Sequence, residues 1–272
     1  MLEYSNRVAV SGADRASYLE FACRVAEEAG RATLPYFRAE VQIENKHSDG
    51  RYDPVTEADR GAERVIRQAI GSEYPRHGIL GEEYGYQEGN GLTWVIDPID
   101  GTRAFMTGML HWGVLLALFD GQDPVVGVMH QPFTGETFFG DCHSAWYEQR
   151  GQKRQLGVRA CSKLDSAVVA STGPQWFSEG RERQAFERLV EATLFTRFGG
   201  DCYLYAMLAM GYVDLATDAN LNPYDIQPLV PIIRGAGGVI TTWAGDNPSM
   251  GGAVLASGDA AVHEAALKVL AG

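Results

Sequence analysis

The chain has 272 residues, enough to bury a substantial core as one large domain or two packed halves. Its composition, 45% hydrophobic and 21% charged, is that of an ordinary soluble globular protein. With 23 basic against 35 acidic residues, the net charge of −12 argues against a nucleic-acid-binding surface.

The first residues lack the apolar stretch of a secretory signal. Leu19, Ala22, Cys23, Ala26, Ala29 and Gly30 recur at helical spacing and predict a helix over 13–39. A second helix is expected over 57–72, with Ala58, Ala62, Val65, Ile66, Ala69 and Ile70 facing inward. Between them, 47–54 is polar and rich in turn formers, so it reads as a loop. Strands follow at 78–80, 93–96, 112–119, 125–130 and 137–140. Turn formers at 120–124 and 133–135 mark hairpins, so this part is expected to be an antiparallel sheet. The apolar run 112–119 is far shorter than the ~20 residues of a membrane helix. Cys23, Cys142, Cys161 and Cys202 are scattered, without metal or disulfide spacing. A cytoplasmic protein with reduced thiols and no membrane partner is expected.

Beyond residue 162 the rhythm changes. Strands are predicted at 167–171, 194–198, 213–217, 239–242 and 253–256, with helices at 182–191, 202–210, 225–234 and 260–270. This is the alternation of an α/β layered arrangement. The expected organisation is two intimately packed halves, 1–162 and 163–272, with a site between them.

The most informative segment is Trp94-Val-Ile-Asp97-Pro-Ile-Asp100-Gly-Thr102-Arg-Ala-Phe105. An apolar strand runs into two aspartates three residues apart, and Pro98 stiffens the bend between them. Such a bend can aim Asp97, Asp100 and the Ile99 carbonyl at one point, an oxygen set that hard cations such as Mg²⁺ prefer. The Gly101 and Thr102 amides that follow would open a helix, where anions bind. Adjacent cation and anion sites suggest metal-assisted phosphate-ester chemistry.

Asp97-Pro-Ile-Asp-Gly-Thr102 resembles the first signature of the inositol monophosphatase-like family of Mg²⁺-dependent phosphatases. Three further segments agree in order: Asp53-Pro-Val-Thr-Glu-Ala-Asp59, Gly81-Glu82-Glu83, and Asn222-Pro-Tyr-Asp225 leading to Gly235-Ala-Gly-Gly238. The resemblance implies an αβαβα five-layer sandwich of the inositol monophosphatase / fructose-1,6-bisphosphatase type. It implies one Mg²⁺ on Glu82, Asp97 and the Ile99 carbonyl, and a second on Asp97, Asp100 and Asp225. A weaker third ion near Glu82 is allowed, and Mn²⁺ as a substitute. Asp53 and Thr102 would activate a metal-bound water, Lys46 matches a mobile family lysine, and a homodimer is expected. Taken alone, Asp225 at the head of its helix reads as an N-cap.

The version Asp100-Gly-Thr-Arg-Ala-Phe105 and the segment Arg197-Phe-Gly-Gly-Asp201-Cys-Tyr203 are most similar to the histidinol-phosphate phosphatase branch. Arg197 would grip phosphate or a neighbouring group. Asp201 and Asp218 would surround a cationic leaving group, which gains a charge-assisted hydrogen bond there. The alternatives are an inositol-1-phosphate or 3′-phosphonucleotide phosphatase on the same fold, or a binding homologue without turnover. The six histidines show no paired metal spacing and are given no role.

Overall fold

A computed structural model describes residues 2–39, 43–45 and 54–272, with 43–45 and 54–56 as backbone only. Lys46 and Asp53, and the expected loop up to Asp53, lie outside the described residues. In chain order the elements are α1 (Gly12–Thr33), β1 (Ile43–Asn45), β2 (Pro54–Thr56), α2 (Glu57–Glu73), β3 (Gly78–Gly81), β4 (Gly85–Gln87), β5 (Thr93–Asp100) and α3 (Thr102–Met106). There follow β6 (Gly113–Phe119), β7 (Pro124–Gln131), β8 (Glu136–Gly140), β9 (Ala145–Gln149), β10 (Gln152–Gln155), β11 (Val168–Ser171), α4 (Arg181–Ala192) and β12 (Phe195–Phe198). The chain closes with α5 (Asp201–Ala209), β13 (Leu215–Leu221), α6 (Pro223–Ile226), α7 (Leu229–Gly235), β14 (Val239–Thr242), β15 (Gly252–Ser257) and α8 (Ala260–Ala271).

Besides the short pair β1–β2, an eight-stranded sheet runs β10-β9-β8-β7-β6-β5-β3-β4 and a five-stranded sheet runs β12-β11-β13-β15-β14. The larger sheet is antiparallel except between β3 and β5, which run parallel with Gly81 opposite Ile96. That exception arises because the chain turns back along β4 on the outer edge of β3 before β5 returns on its inner side.

Alternation along β6 shows how the layers form. Val114, Leu116 and Leu118 pack against Ala22, Val25, Ala26, Ile66 and Ile70 of α1 and α2. Leu115, on the opposite face, joins Met129 and Phe138 in a cluster with α5, α7 and the inner side of the smaller sheet. Both faces are covered, so β6 reads as a continuous apolar run. The outer side of the smaller sheet is covered by α4 and α8 through Ala185, Leu189, Val262, Ala266 and Leu270. The result is an αβαβα sandwich whose middle helical layer shares one core with both sheets.

The single helix expected over 225–234 is two. Pro228 cannot donate a backbone hydrogen bond, and α6 ends at Ile226 before α7 begins at Leu229. Among the described residues, no helix is long and apolar enough to cross a membrane.

Candidate metal and phosphate site

The pairing of β5 with β6 is regular up to Asp97 opposite Leu115, then slips and resumes at Asp100 opposite Gly113. The slip is a bulge, which re-aims side chains at a strand end. The Asp97 Oδ1 stabilises it by accepting the Ile99 N–H at 3.1 Å. Asp225 reaches the same place from α6. One carboxylate oxygen from each of Asp97, Asp100 and Asp225 lies within 4.8 Å of the others.

Asp225 is the third residue of α6 rather than its N-cap. Asn222 is the cap, and Asp225 returns the favour by accepting the Asn222 N–H at 2.6 Å. Pro223, pre-set for the first helical position, starts the helix two residues earlier than expected. Glu82 follows β3, and its N–H extends the parallel ladder to the Ile96 carbonyl at 3.3 Å. It therefore stands beside Asp97.

Gly101 has φ +83, and a Cβ there would fall 2.4 Å from the His111 carbonyl oxygen, so only glycine fits. This lets Thr102 open α3 and donate its hydroxyl to the Ile99 carbonyl at 3.1 Å. Against this loop, α5 begins at Asp201 with φ +45, a left-handed conformation that Asp tolerates. The next N–H, from Cys202, donates to Asp100 at 2.7 Å.

Electrostatics define what this arrangement wants. Burial raises the Asp97 carboxyl well above the usual range, and Glu82, Asp100 and Asp225 push it further. Asp100 is raised by burial, then by Asp201 and Asp225. Burial raises Asp225 to about 7, and nearby Glu82 adds to this. Such a cluster repels itself unless positive charge enters. The donors are all oxygens except the neighbouring Cys202 thiol. Burial holds that thiol protonated, so it is a poor ligand. The donor set fits a hard divalent cation.

These residues line a cleft of about 860 Å³, counted with its open mouth. Glu82, Asp97, Ile99, Asp100, Gly101, Thr102, Asp201, Asp218 and Asp225 all face it. Burial raises Asp201 to about 6, opposed by the Arg103 charge. Asp218 is 3% exposed and accepts from Ser171 Oγ (3.0 Å), Thr172 N (2.8 Å) and Oγ1 (3.2 Å), and the Tyr205 hydroxyl (3.3 Å). Its oxygens are largely committed, so it offers the cleft a charge more than a hydrogen-bonding lone pair. Burial also brings its pKa to about 7.

Arg197 is not brought into this group. It sits exposed on β12, the edge of the smaller sheet, and does not line the cleft. The arginine that does is Arg103, whose guanidinium lies 4.9 Å from the Trp176 ring centroid. Asn220 holds the same tryptophan by donating to its carbonyl at 2.6 Å. Both Arg103 and Trp176 escaped sequence reasoning, because nothing local says that the 174–176 turn meets the start of α3.

A second omission had a visible signal. Asp59 and Glu63, one helical turn apart, lie on the buried face of α2 among Ala58, Ala62, Ile66 and Ile70. Acids on an apolar stripe call for an explanation. Asp59 is 1% exposed, and its neighbour Ala58 packs with Ile99 and Phe105 beside the 97–102 loop.

The family model described as Inositol monophosphatase family matches residues 14–271. The chain is 37% identical over 263 residues to the bifunctional phosphatase IMPL2, chloroplastic, of Arabidopsis thaliana, covering 90% of this chain and 72% of that protein. It is 34% identical over 246 residues to a histidinol-phosphatase of Chlorobaculum parvum, covering 90% and 93% respectively. Among solved structures, an inositol monophosphatase from Zymomonas mobilis matches with a TM-score of 0.84 at 35% identity, covering 96% of this chain and 100% of that one.

Proposed function

The chain belongs to the inositol monophosphatase family and is a phosphatase of that family; from this premise we propose that it is a Mg²⁺-dependent phosphomonoesterase whose preferred substrate is L-histidinol phosphate. The observation that carries the metal reading is the convergence of Asp97, Asp100 and Asp225 within 4.8 Å. Glu82, Asp97 and the Ile99 carbonyl would hold one cation, and Asp97, Asp100 and Asp225 a second. When bound, such ions lower the pKa of water and offset charge on phosphoryl oxygens.

The protein's own groups divide the remaining work. The Gly101 and Thr102 backbone meets the phosphoryl group at the start of α3. Thr102 holds its hydroxyl beside the metal loop through the Ile99 carbonyl. A threonine hydroxyl is a weak base alone and needs a carboxylate behind it. Asp53, expected in that role, falls outside the described residues. We assign it instead to Asp59, a buried acid whose neighbour packs against the loop.

The substrate preference rests on two further acids that line the cleft. Asp201 and Asp218 put negative charge where a leaving group would sit, which suits an ammonium-bearing alcohol better than a neutral polyol. The 34% identity to a histidinol-phosphatase supports the same reading. The deciding experiment measures kcat/KM with Mg²⁺ for histidinol phosphate, inositol-1-phosphate and a 3′-phosphonucleotide, in wild type and Asp201→Asn. Histidinol phosphate should lead, and the variant should lose roughly ten- to a hundredfold on it alone. A wild-type preference for inositol-1-phosphate would reject the substrate assignment. Turnover unaffected by chelation would reject the metal reading as well.

A further inference from the structure

Glu63 is fully buried on a helix face that is otherwise largely apolar. A charge there is costly unless it is paired and hydrogen-bonded. It is satisfied by gripping the chain that leaves β3. Its carboxylate accepts the N–H of Glu83 at 2.7 Å and of Tyr84 at 3.2 Å. Arg67, one helical turn along, donates Nε to Glu63 at 2.7 Å and a terminal nitrogen to the Gly85 carbonyl at 2.5 Å. Arg64 reaches the Tyr84 hydroxyl at 2.7 Å. Gly81 makes room for the contact, since a Cβ there would lie 1.9 Å from the Glu63 Oε1.

Glu82 is thus fixed from both sides. Its own N–H is the last rung to the Ile96 carbonyl, one residue before Asp97. The two N–H groups after it are held by Glu63. We propose that Glu63 is a positioning residue that, through the 82–85 turn, sets the aim of Glu82 at the cation it shares with Asp97. The proposal rests on the reading of Glu82 as a metal ligand. A ligand whose backbone is already fixed binds without the ordering cost that a loose turn would impose. Outer partners of this kind contribute about 10- to 100-fold in metal affinity.

The test is Mn²⁺ binding to the full chain, followed by the loss of the free-ion electron paramagnetic resonance signal, in wild type, Glu63→Gln, Glu82→Gln and the double variant. Glu63→Gln keeps the size of the side chain but replaces a carboxylate accepting three donors. It should weaken the tightest Mn²⁺ site about tenfold, and excess Mg²⁺ should restore most of kcat. In the Glu82→Gln background the same change should cost less than about twofold, because the ligand it acts through is gone. A purely architectural role would lower the melting temperature in both backgrounds and leave Mn²⁺ affinity unmoved, which would overturn the proposal. Equal losses in both backgrounds would overturn it too. If Glu82→Gln binds Mn²⁺ as tightly as wild type, it is the ligand assignment that fails. Should Glu63→Gln not fold, Glu63→Asp retains the charge one methylene short of the turn; wild-type Mn²⁺ affinity in that variant refutes the positioning role.

Discussion

Asp225→Asn should make the metal-free protein more stable while reducing its response to Mg²⁺ to that of the Glu82–Asp97 site. The carboxyl moves from 3.8 to about 7 on folding. At about 1.4 kcal/mol per unit, holding it ionised costs roughly 4 kcal/mol. Solvent reaches part of this side chain, and its neighbours relax when one charge leaves, so a gain of about 1–3 kcal/mol is expected. Asparagine can still accept the Asn222 N–H through its amide oxygen, so the cap of α6 survives. Because the folded pKa lies above the unfolded one, the stabilising contribution is complete below about pH 3.8. It is lost as pH rises to about 7, and at pH 8 the metal-free protein carries the whole cost. Thermal melts in chelator at pH 8 should therefore place the variant several degrees above wild type, at about 2–4 °C per kcal/mol. The gap should narrow towards pH 5. Adding Mg²⁺ should raise the wild type, by about 2.7 kcal/mol per site at a hundredfold excess over Kd, and raise the variant less, through the Glu82–Asp97 site alone. A variant melting below wild type in chelator at pH 8 would show that these carboxylates do not repel one another, and the electrostatic reasoning would fall.

Thr102→Ala and Asp59→Asn should each lower kcat by a hundredfold or more with little change in Mn²⁺ affinity, and the double variant should lose little beyond the worse single; fully additive losses in steady-state kinetics would separate their tasks. Asp214, fully buried, accepts Arg159 Nε at 2.6 Å and the Val168 N–H at 2.7 Å, far from the cleft chemistry. Asp214→Ala should lower stability by about 2–3 kcal/mol, discounted because Arg159 is 44% exposed, with kcat at saturating Mg²⁺ intact. Urea denaturation and a single rate measurement check both parts.

What the sequence made legible was the part written in local chemistry. Asp97, Asp100, Gly101 and Thr102 lie in one short stretch whose bend is dictated by Pro98, so their convergence follows from adjacent residues. The long strands and helices announce themselves by period. The strands β4, β9 and β10 did not, because Gly85-Tyr-Gln and Gln152-Lys-Arg-Gln carry no apolar alternation and exist through pairing with a neighbour. The place of Arg197 was illegible for a related reason. Its position depends on β12 joining the edge of the smaller sheet, with Arg197 opposite Ala170, which no local pattern encodes. The two acids on α2 were legible in principle. A carboxylate at the buried positions of an amphipathic helix is a conflict between local and global preference, and such conflicts gather at functional sites.

The middle helical layer has a consequence for synthesis. Leu115, Met129 and Phe138 find their cover in α5 and α7, which lie many residues further along the chain. As the polypeptide leaves the ribosome, one face of the large sheet can form while the helices that will hide it are still unmade. During that interval an apolar surface is open to other nascent chains, the situation in which chaperones intervene. Glu82 and Asp225, the first and last of the four carboxylates along the chain, likewise meet only after α6 docks. Newly made chains cannot assemble the complete carboxylate set early, and uptake of the second cation, which needs Asp225, would report that α6 has docked.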